Sequence, residues 1–319
     1  MKKTLIPAFL SALILASCGS NAAPTPSSYD LDVKIASPAG APSVALFRHV
    51  LNEKCEINAD PANVVAYFSE NSGKDVSIAP TNAGLNAITK KAAPYKIAAT
   101  LTFGNFFLAG SGNDENKMLD KDDYVVLFQQ NNVPDKLFQY VYGDMGLTNV
   151  HYVNAASDAA SCLISGKNMA DNNASVDYVL MAEPALHNAL GKNEKAYQYS
   201  SIQEEFSRKS GGKEITQASV FVSSSLSKDK ADPFLSSLEQ DVKAFLASPS
   251  ILDDYFKSES DKTLAQSKFS APVALVETMA KENNRMGLGY KKANENKEAI
   301  KEFAKLFGIN EIDEEVYYK

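Results

Sequence analysis

The chain has 319 residues, 45% of them hydrophobic and 22% charged, enough to bury one large core or two medium ones, which excludes a disordered chain or a small disulfide-stapled scaffold. Lys and Arg number 32 against 39 Asp and Glu, a net charge of -7, so no broad basic surface for nucleic acid is expected. Only Arg48, Arg208 and Arg285 can offer bidentate recognition of a carboxylate or phosphate.

From the N-terminus, Lys2 and Lys3 precede an apolar run over residues 5–16 that is too short to span a bilayer, so residues 1–17 read as an export signal. Leu15-Ala16-Ser17-Cys18-Gly19 resembles the lipobox of bacterial lipoproteins, which implies a lipid on Cys18 and attachment to the membrane surface. Residues 18–28 lack apolar periodicity and read as a flexible tether, with the globular part beginning at Tyr29.

Residues 31–36 then read as a strand, and Pro42 opens a helix with apolar positions at Val44, Phe47 and Leu51. Residues 63–68 form a helix, 76–79 a strand, Thr81 opens another helix, and 95–101 return to a strand. After the loop-like Gly110-Ser111-Gly112-Asn113, strands at 124–128, 151–153 and 177–181 alternate with helices at 134–142 and 157–164 and a third through Leu190. Such β-α-β succession predicts parallel sheets covered by helices, in two α/β lobes. Residues 192–212 are polar, 218–222 form a strand, and the last third is helical, its final helix repeating Ile300, Phe303 and Phe307 before Gly308. Cys55 falls in a strand and Cys162 in a helix, so both are expected to be buried free thiols.

The order of these segments resembles the solute-binding proteins of bacterial ABC importers, closest to the sulfonate, nitrate and thiamine-precursor binders. Ser37-Pro38-Ala39-Gly40-Ala41-Pro42 stands at that family's first ligand loop and Ala79-Pro80-Thr81-Asn82-Ala83-Gly84 at its second. Val176-Asp177-Tyr178-Val179-Leu180-Met181-Ala182-Glu183-Pro184 is similar to its strand ending in Glu-Pro. Leu119-Asp120-Lys121-Asp122-Asp123 departs from the family's usual second-lobe opening. The resemblance implies a two-lobed α/β fold of the type II periplasmic-binding-protein kind, with the ligand cleft between lobes. Residues 29–105 would form the first part of lobe I, 106–216 lobe II, and 217–319 the return to lobe I with the C-terminal helices. It further implies a monomer that delivers a small molecule to permease subunits and uses no cofactor or metal.

Loops between a strand's carboxyl end and a helix's first turn present unpaired N–H groups to polar ligands. On that ground the first-lobe contacts are expected at Ser37, Gly40, Ser43, Thr81, Asn82, Phe103 and Asn105. The second-lobe contacts are expected at Gln130, Asn131, Asn154, Ser157 and Glu183. None of the loop segments carrying them contains Lys or Arg, so nothing basic is expected to line the cleft. Phe103, Phe106 and Phe107 offer flat faces, the Asn and Gln side chains offer paired donors and acceptors, and Glu183 could accept from a ring amino group or merely hold a helix start. This set favours a pyrimidine-like thiamine precursor over an alkyl sulfonate. The isolated His49, His151 and His187 form no catalytic pattern, and no Cys-x-x-Cys, Gly-x-Ser-x-Gly or Walker loop occurs. The alternatives are an enzyme on the same fold or an anchored interaction protein using the charged C-terminal helices.

Overall fold

The structure is a computed structural model that describes residues 24–59, 61–69, 72–112 and 115–319. The export signal and Cys18 lie outside the described residues. Thirteen strands follow in chain order among those described: β1 (Ile35–Pro38), β2 (Cys55–Asn58), β3 (Val76–Pro80), β4 (Tyr95–Thr102), β5 (Phe106–Gly110), β6 (Val125–Phe128), β7 (Val150–Val153), β8 (Lys167–Asn168), β9 (Ala174–Ser175), β10 (Tyr178–Ala182), β11 (Tyr197–Ser201), β12 (Ala218–Ser223) and β13 (Leu288–Lys292).

They make a six-stranded sheet in the order β13-β4-β12-β3-β1-β2, a five-stranded sheet in the order β11-β5-β10-β6-β7, and the small β8-β9 ribbon. The expectation of parallel sheets holds only in part. β1 pairs parallel with β2 and β3, and β6 pairs parallel with β7 and β10. β12 runs antiparallel between β3 and β4, because the chain returns from the second sheet and inserts there, and β13 runs antiparallel to β4. β5 is likewise antiparallel to β10 and β11.

Central strands such as Val125-Val126-Leu127-Phe128 are buried throughout, as the near-continuous apolar sequence of a covered strand requires. Besides the two-residue β8 and β9, three strands escape the sequence pattern. β11 and β13 are edge strands with polar sequences, Tyr197-Gln198-Tyr199-Ser200-Ser201 and Leu288-Gly289-Tyr290-Lys291-Lys292, and β5 lies within a glycine-flanked stretch that reads as loop. The expected strand over residues 31–36 begins only at Ile35. The preceding Lys34 N–H goes to the Asp75 carboxylate at 2.7 Å instead of to a neighbouring strand. The helix opened by Pro42 is a single turn, Ala41–Val44, followed by tighter turns with Leu46 N–H on Ser43 O and His49 N–H on Leu46 O, and Leu51 faces solvent.

Hydrophobic cores lie on both faces of the first sheet and around the second. The helix Lys297–Lys305 joins them, with Ile300 and Ala304 on the first sheet and Phe303 in the second core. Cys55 and Cys162 are free and buried, and desolvation pushes the Cys55 thiol up to about 12. Ser27, expected in the tether, is held by its amide on Asp241 at 2.7 Å. Among the described residues no helix is long and apolar enough to cross a membrane.

Candidate ligand-binding site

Strand direction decides which loops meet. β1 and β3 are parallel, Ala218 at the start of β12 sits opposite Pro80 and Thr102, and Leu288 at the start of β13 also sits opposite Thr102. Residues 38–43, 80–82, 102–105, 216–217 and 285–287 therefore gather at one edge of the first sheet. In the second sheet Ala182 pairs with Phe106, and β6 and β7 run alongside β10, so residues 129–131, 154–157 and 183 emerge at one edge as well.

Asn105, between β4 and β5, stitches these edges together. Its Nδ2 donates to Glu183 O at 3.0 Å, its O accepts the Glu183 N–H at 3.0 Å, and its Oδ1 accepts from Gln217 Nε2 at 3.2 Å. Beside it the Phe103 N–H donates to Gly287 O at 2.7 Å. Gly287 has φ +59°, and a Cβ there would lie 2.1 Å from Gly104 O, so the close approach of the two backbones requires glycine.

The first-sheet residues are largely committed to one another. The Ser37 hydroxyl donates to Pro38 O at 3.1 Å. Ser43 Oγ lies 2.7 Å from the carbonyls of both Gly40 and Lys268, and the Gly40 N–H also donates to Lys268 O. Thr81 Oγ1 is 2.7 Å from Ser219 Oγ, at the start of the helix Thr81–Lys91. Asn82 differs, since its Oδ1 is buried without a partner. Phe103 is half-buried over Gly289, whose lack of a Cβ leaves room for the ring.

At the second sheet, Gln130, Asn131, Asn154 and Ser157 are exposed. Asn131 takes φ 66°, which asparagine tolerates, and its N–H donates to the Asp135 carboxylate at 2.7 Å, a group that also accepts from Tyr152 OH. Phe106 and Phe107 do not offer open faces: both pack in the second core.

Glu183 follows β10 and has a fully buried carboxylate. Its Oε1 accepts from Arg285 Nε at 2.6 Å and Nη2 at 2.5 Å, and its Oε2 accepts the His187 N–H at 3.0 Å in the helix Ala185–Leu190. The Arg285 guanidinium also lies 4.8 Å from the Phe107 ring centroid. This corrects the expectation that nothing basic reaches the cleft. The loop segments themselves lack Lys and Arg, but folding brings Arg285 from 102 positions away. It also removes Glu183 as an open acceptor, because both oxygens are occupied. Neither Arg285 nor Gln217 is legible as a site residue from its neighbours in sequence. The one available signal was that arginine is rare in this chain and Arg285 precedes a turn containing Gly287.

Among the described residues no group of three or more His, Cys, Asp or Glu side chains is placed to hold a metal. Two surface concavities lie away from the paired edges. One of about 480 Å³ is lined by Lys213, Lys291 and Lys297 with intervening acids, and one of about 270 Å³ lies between Leu235, Tyr290 and Tyr318.

No family model matches the sequence, and no curated protein matches it. Solved structures do. An ABC transporter protein from Parabacteroides distasonis superposes with a TM-score of 0.70 at 17% identity, over 91% of this chain and 99% of that one. The periplasmic aliphatic sulphonate binding protein SsuA from Escherichia coli gives 0.62 at 13% identity over 87% of each chain. The alkanesulfonate-binding protein SsuA from Xanthomonas axonopodis pv. citri, bound to MOPS, gives 0.54 at 13% identity over 90% and 94%. At these identities the likeness is one of fold: the chain has the mixed α/β periplasmic-binding-protein fold.

Proposed function

We propose that this protein is an extracytoplasmic solute-binding protein that captures a small organic molecule between its two sheets and delivers it to the permease of an ABC importer. The observation that carries this reading is the meeting of two sheet edges, each crowded with strand-to-helix loops, around the Asn105 junction. Binding at the carboxyl ends of strands follows from the unpaired N–H groups and small residues found there. The shared fold with ABC transporter and sulfonate-binding proteins supports it. Binding, not catalysis, suits a junction whose buried carboxylate is held by an arginine and a backbone amide instead of standing free as a base.

In this reading residues 29–105 and 217–319 form one lobe and 106–216 the other. The lobes close as a monomer about residues 103–105 and 215–217, while a lipid on Cys18 keeps the protein at the membrane. Closure is driven only by the ligand's differential affinity for the closed state. The favoured ligand is a neutral, pyrimidine-like heterocycle, since Glu183 and Arg285 cancel each other's charge and the other expected contacts are uncharged. An alkyl sulfonate is the second reading, favoured by the part of the Arg285 guanidinium that Glu183 does not engage.

Native mass spectrometry of the purified protein, followed by thermal-shift screening, tests the reading. A retained small molecule and stabilisation by heterocycles are expected, with a smaller radius of gyration in solution scattering on binding. Stabilisation by sulfonates or nitrate alone would replace the ligand, and turnover of a bound compound would replace the function. Replacing Cys18 by Ala should move the protein from the membrane fraction to the soluble one without unfolding it.

A further inference from the structure

Ten buried side-chain polar atoms have no hydrogen-bond partner among the described residues, and four of them fall at the first-sheet edge of the cleft: Asn82 Oδ1, Thr102 Oγ1, Thr216 Oγ1 and Gln217 Oε1. Two of these residues share a backbone bond, and the neighbour of a third bonds to the same strand start. The Gln217 N–H donates to Thr102 O at 2.9 Å, and the Thr81 N–H, next to Asn82, donates to Gln217 O at 3.0 Å. Buried polar atoms are almost always satisfied, so such a concentration marks a place where donors from outside the chain belong.

The polarity of the site follows from its neighbours. The Glu183 main-chain carbonyl only accepts, so Asn105 must present Nδ2 to it. Asn105 Oδ1 is thereby left to accept from Gln217 Nε2, which fixes the Gln217 amide with Oε1 free. Amide oxygens accept and cannot donate, and a hydroxyl can accept beside them. The two amide oxygens therefore ask for donors, and the two hydroxyls can serve either way. A sulfonate or carboxylate has none and would set its lone pairs against those of the amide oxygens, with only the hydroxyls left to donate to it. Glu183, the other acceptor in reach, is occupied by Arg285 and the His187 N–H.

We propose that Gln217, Thr102 and Asn82 form an acceptor subsite that reads N–H donors of a neutral ring, so that an amino-substituted heterocycle binds with its amino group toward the first sheet and not toward Glu183. The proposal rests on the solute-binding reading and specifies the orientation and class of the solute.

The test is calorimetric titration of the purified protein with 4-aminopyrimidine and, separately, with ethanesulfonate, using the parent chain, Thr102→Val and Gln217→Met, with the urea midpoint of each unliganded protein measured alongside. The parent is expected to bind the aminopyrimidine in preference to the sulfonate, with both variants binding it about tenfold more weakly. Unliganded Thr102→Val should be at least as stable as the parent, because it loses an unpaired oxygen. Equal aminopyrimidine affinity in parent and variants would overturn the subsite while leaving solute binding intact, as would a preference for ethanesulfonate. A lower urea midpoint for unliganded Thr102→Val with no change in binding would identify the oxygens as sites of structural water only. If neither probe binds and native mass spectrometry shows no retained molecule, the solute-binding reading falls and the subsite with it.

Discussion

Ser37, Ser43 and Thr81, at the first sheet, are fully buried with hydroxyls bonded inside the protein, whereas Gln130, Asn131, Asn154 and Ser157, at the second, stand exposed. The difference teaches how such a cleft divides its work. Polar groups already paired within the fold stabilise it and have little left to offer a ligand, while exposed groups add little to stability and can be recruited on closure. The first-sheet side is thus internally bonded, with a few unpartnered oxygens. The second is an exposed surface, and in the proposed function its contacts become worth making only on closure.

The largest expected effect lies where the walls join. Arg285→Met leaves the buried Glu183 carboxylate without its counter-charge and should cost about 3–5 kcal/mol in urea unfolding. The same change at exposed Arg208, paired with Glu205 on the surface, should stay within about 0.5 kcal/mol. Equal urea midpoints for the two variants would remove the junction from this account.

Next comes an effect of pH at the buried His49. His49 is buried beside Arg48, and desolvation first, then the arginine's charge, hold its pKa near 4 against an ordinary 6.5. The unfolded chain takes up this proton as pH falls through 6.5 while the folded chain takes it up only near 4. The stabilisation is therefore complete above pH 6.5 and is lost progressively down to about pH 4, by up to about 3 kcal/mol. Urea midpoints at pH 7 and pH 5 should converge in His49→Phe, and an unchanged pH slope in that variant would assign the effect elsewhere.

Smaller and closer to the contrast itself, Ser43→Ala should cost about 1 kcal/mol, because it frees the carbonyls of Gly40 and Lys268 from their shared hydroxyl. Gln130→Ala, on the exposed wall, should leave the urea midpoint within about 0.5 kcal/mol and weaken ligand binding a few-fold in titration. If Ser43→Ala and Gln130→Ala shift the midpoint equally, the division of labour between the walls does not hold.

Much of this architecture was written locally. The alternation of buried strands with amphipathic helices, the start of the helix at Thr81, the strand leading to Glu183 and the buried thiols all depend on short-range apolar pattern and turn chemistry, and the sequence alone determined them. Strands β11 and β13 were not determined that way, because an edge strand with polar residues becomes a strand by pairing with a neighbour, here β5 and β4. The charge and polarity of the cleft also belong to the tertiary structure. Glu183 and Arg285 stand 102 positions apart, and the chain Glu183–Asn105–Gln217 that orients the free amide oxygen links three distant segments. A side chain's identity sets which bonds it can form, but whether a carboxylate is bare or neutralised, and which end of an amide faces the cleft, depends on what folding places within 3 Å of it.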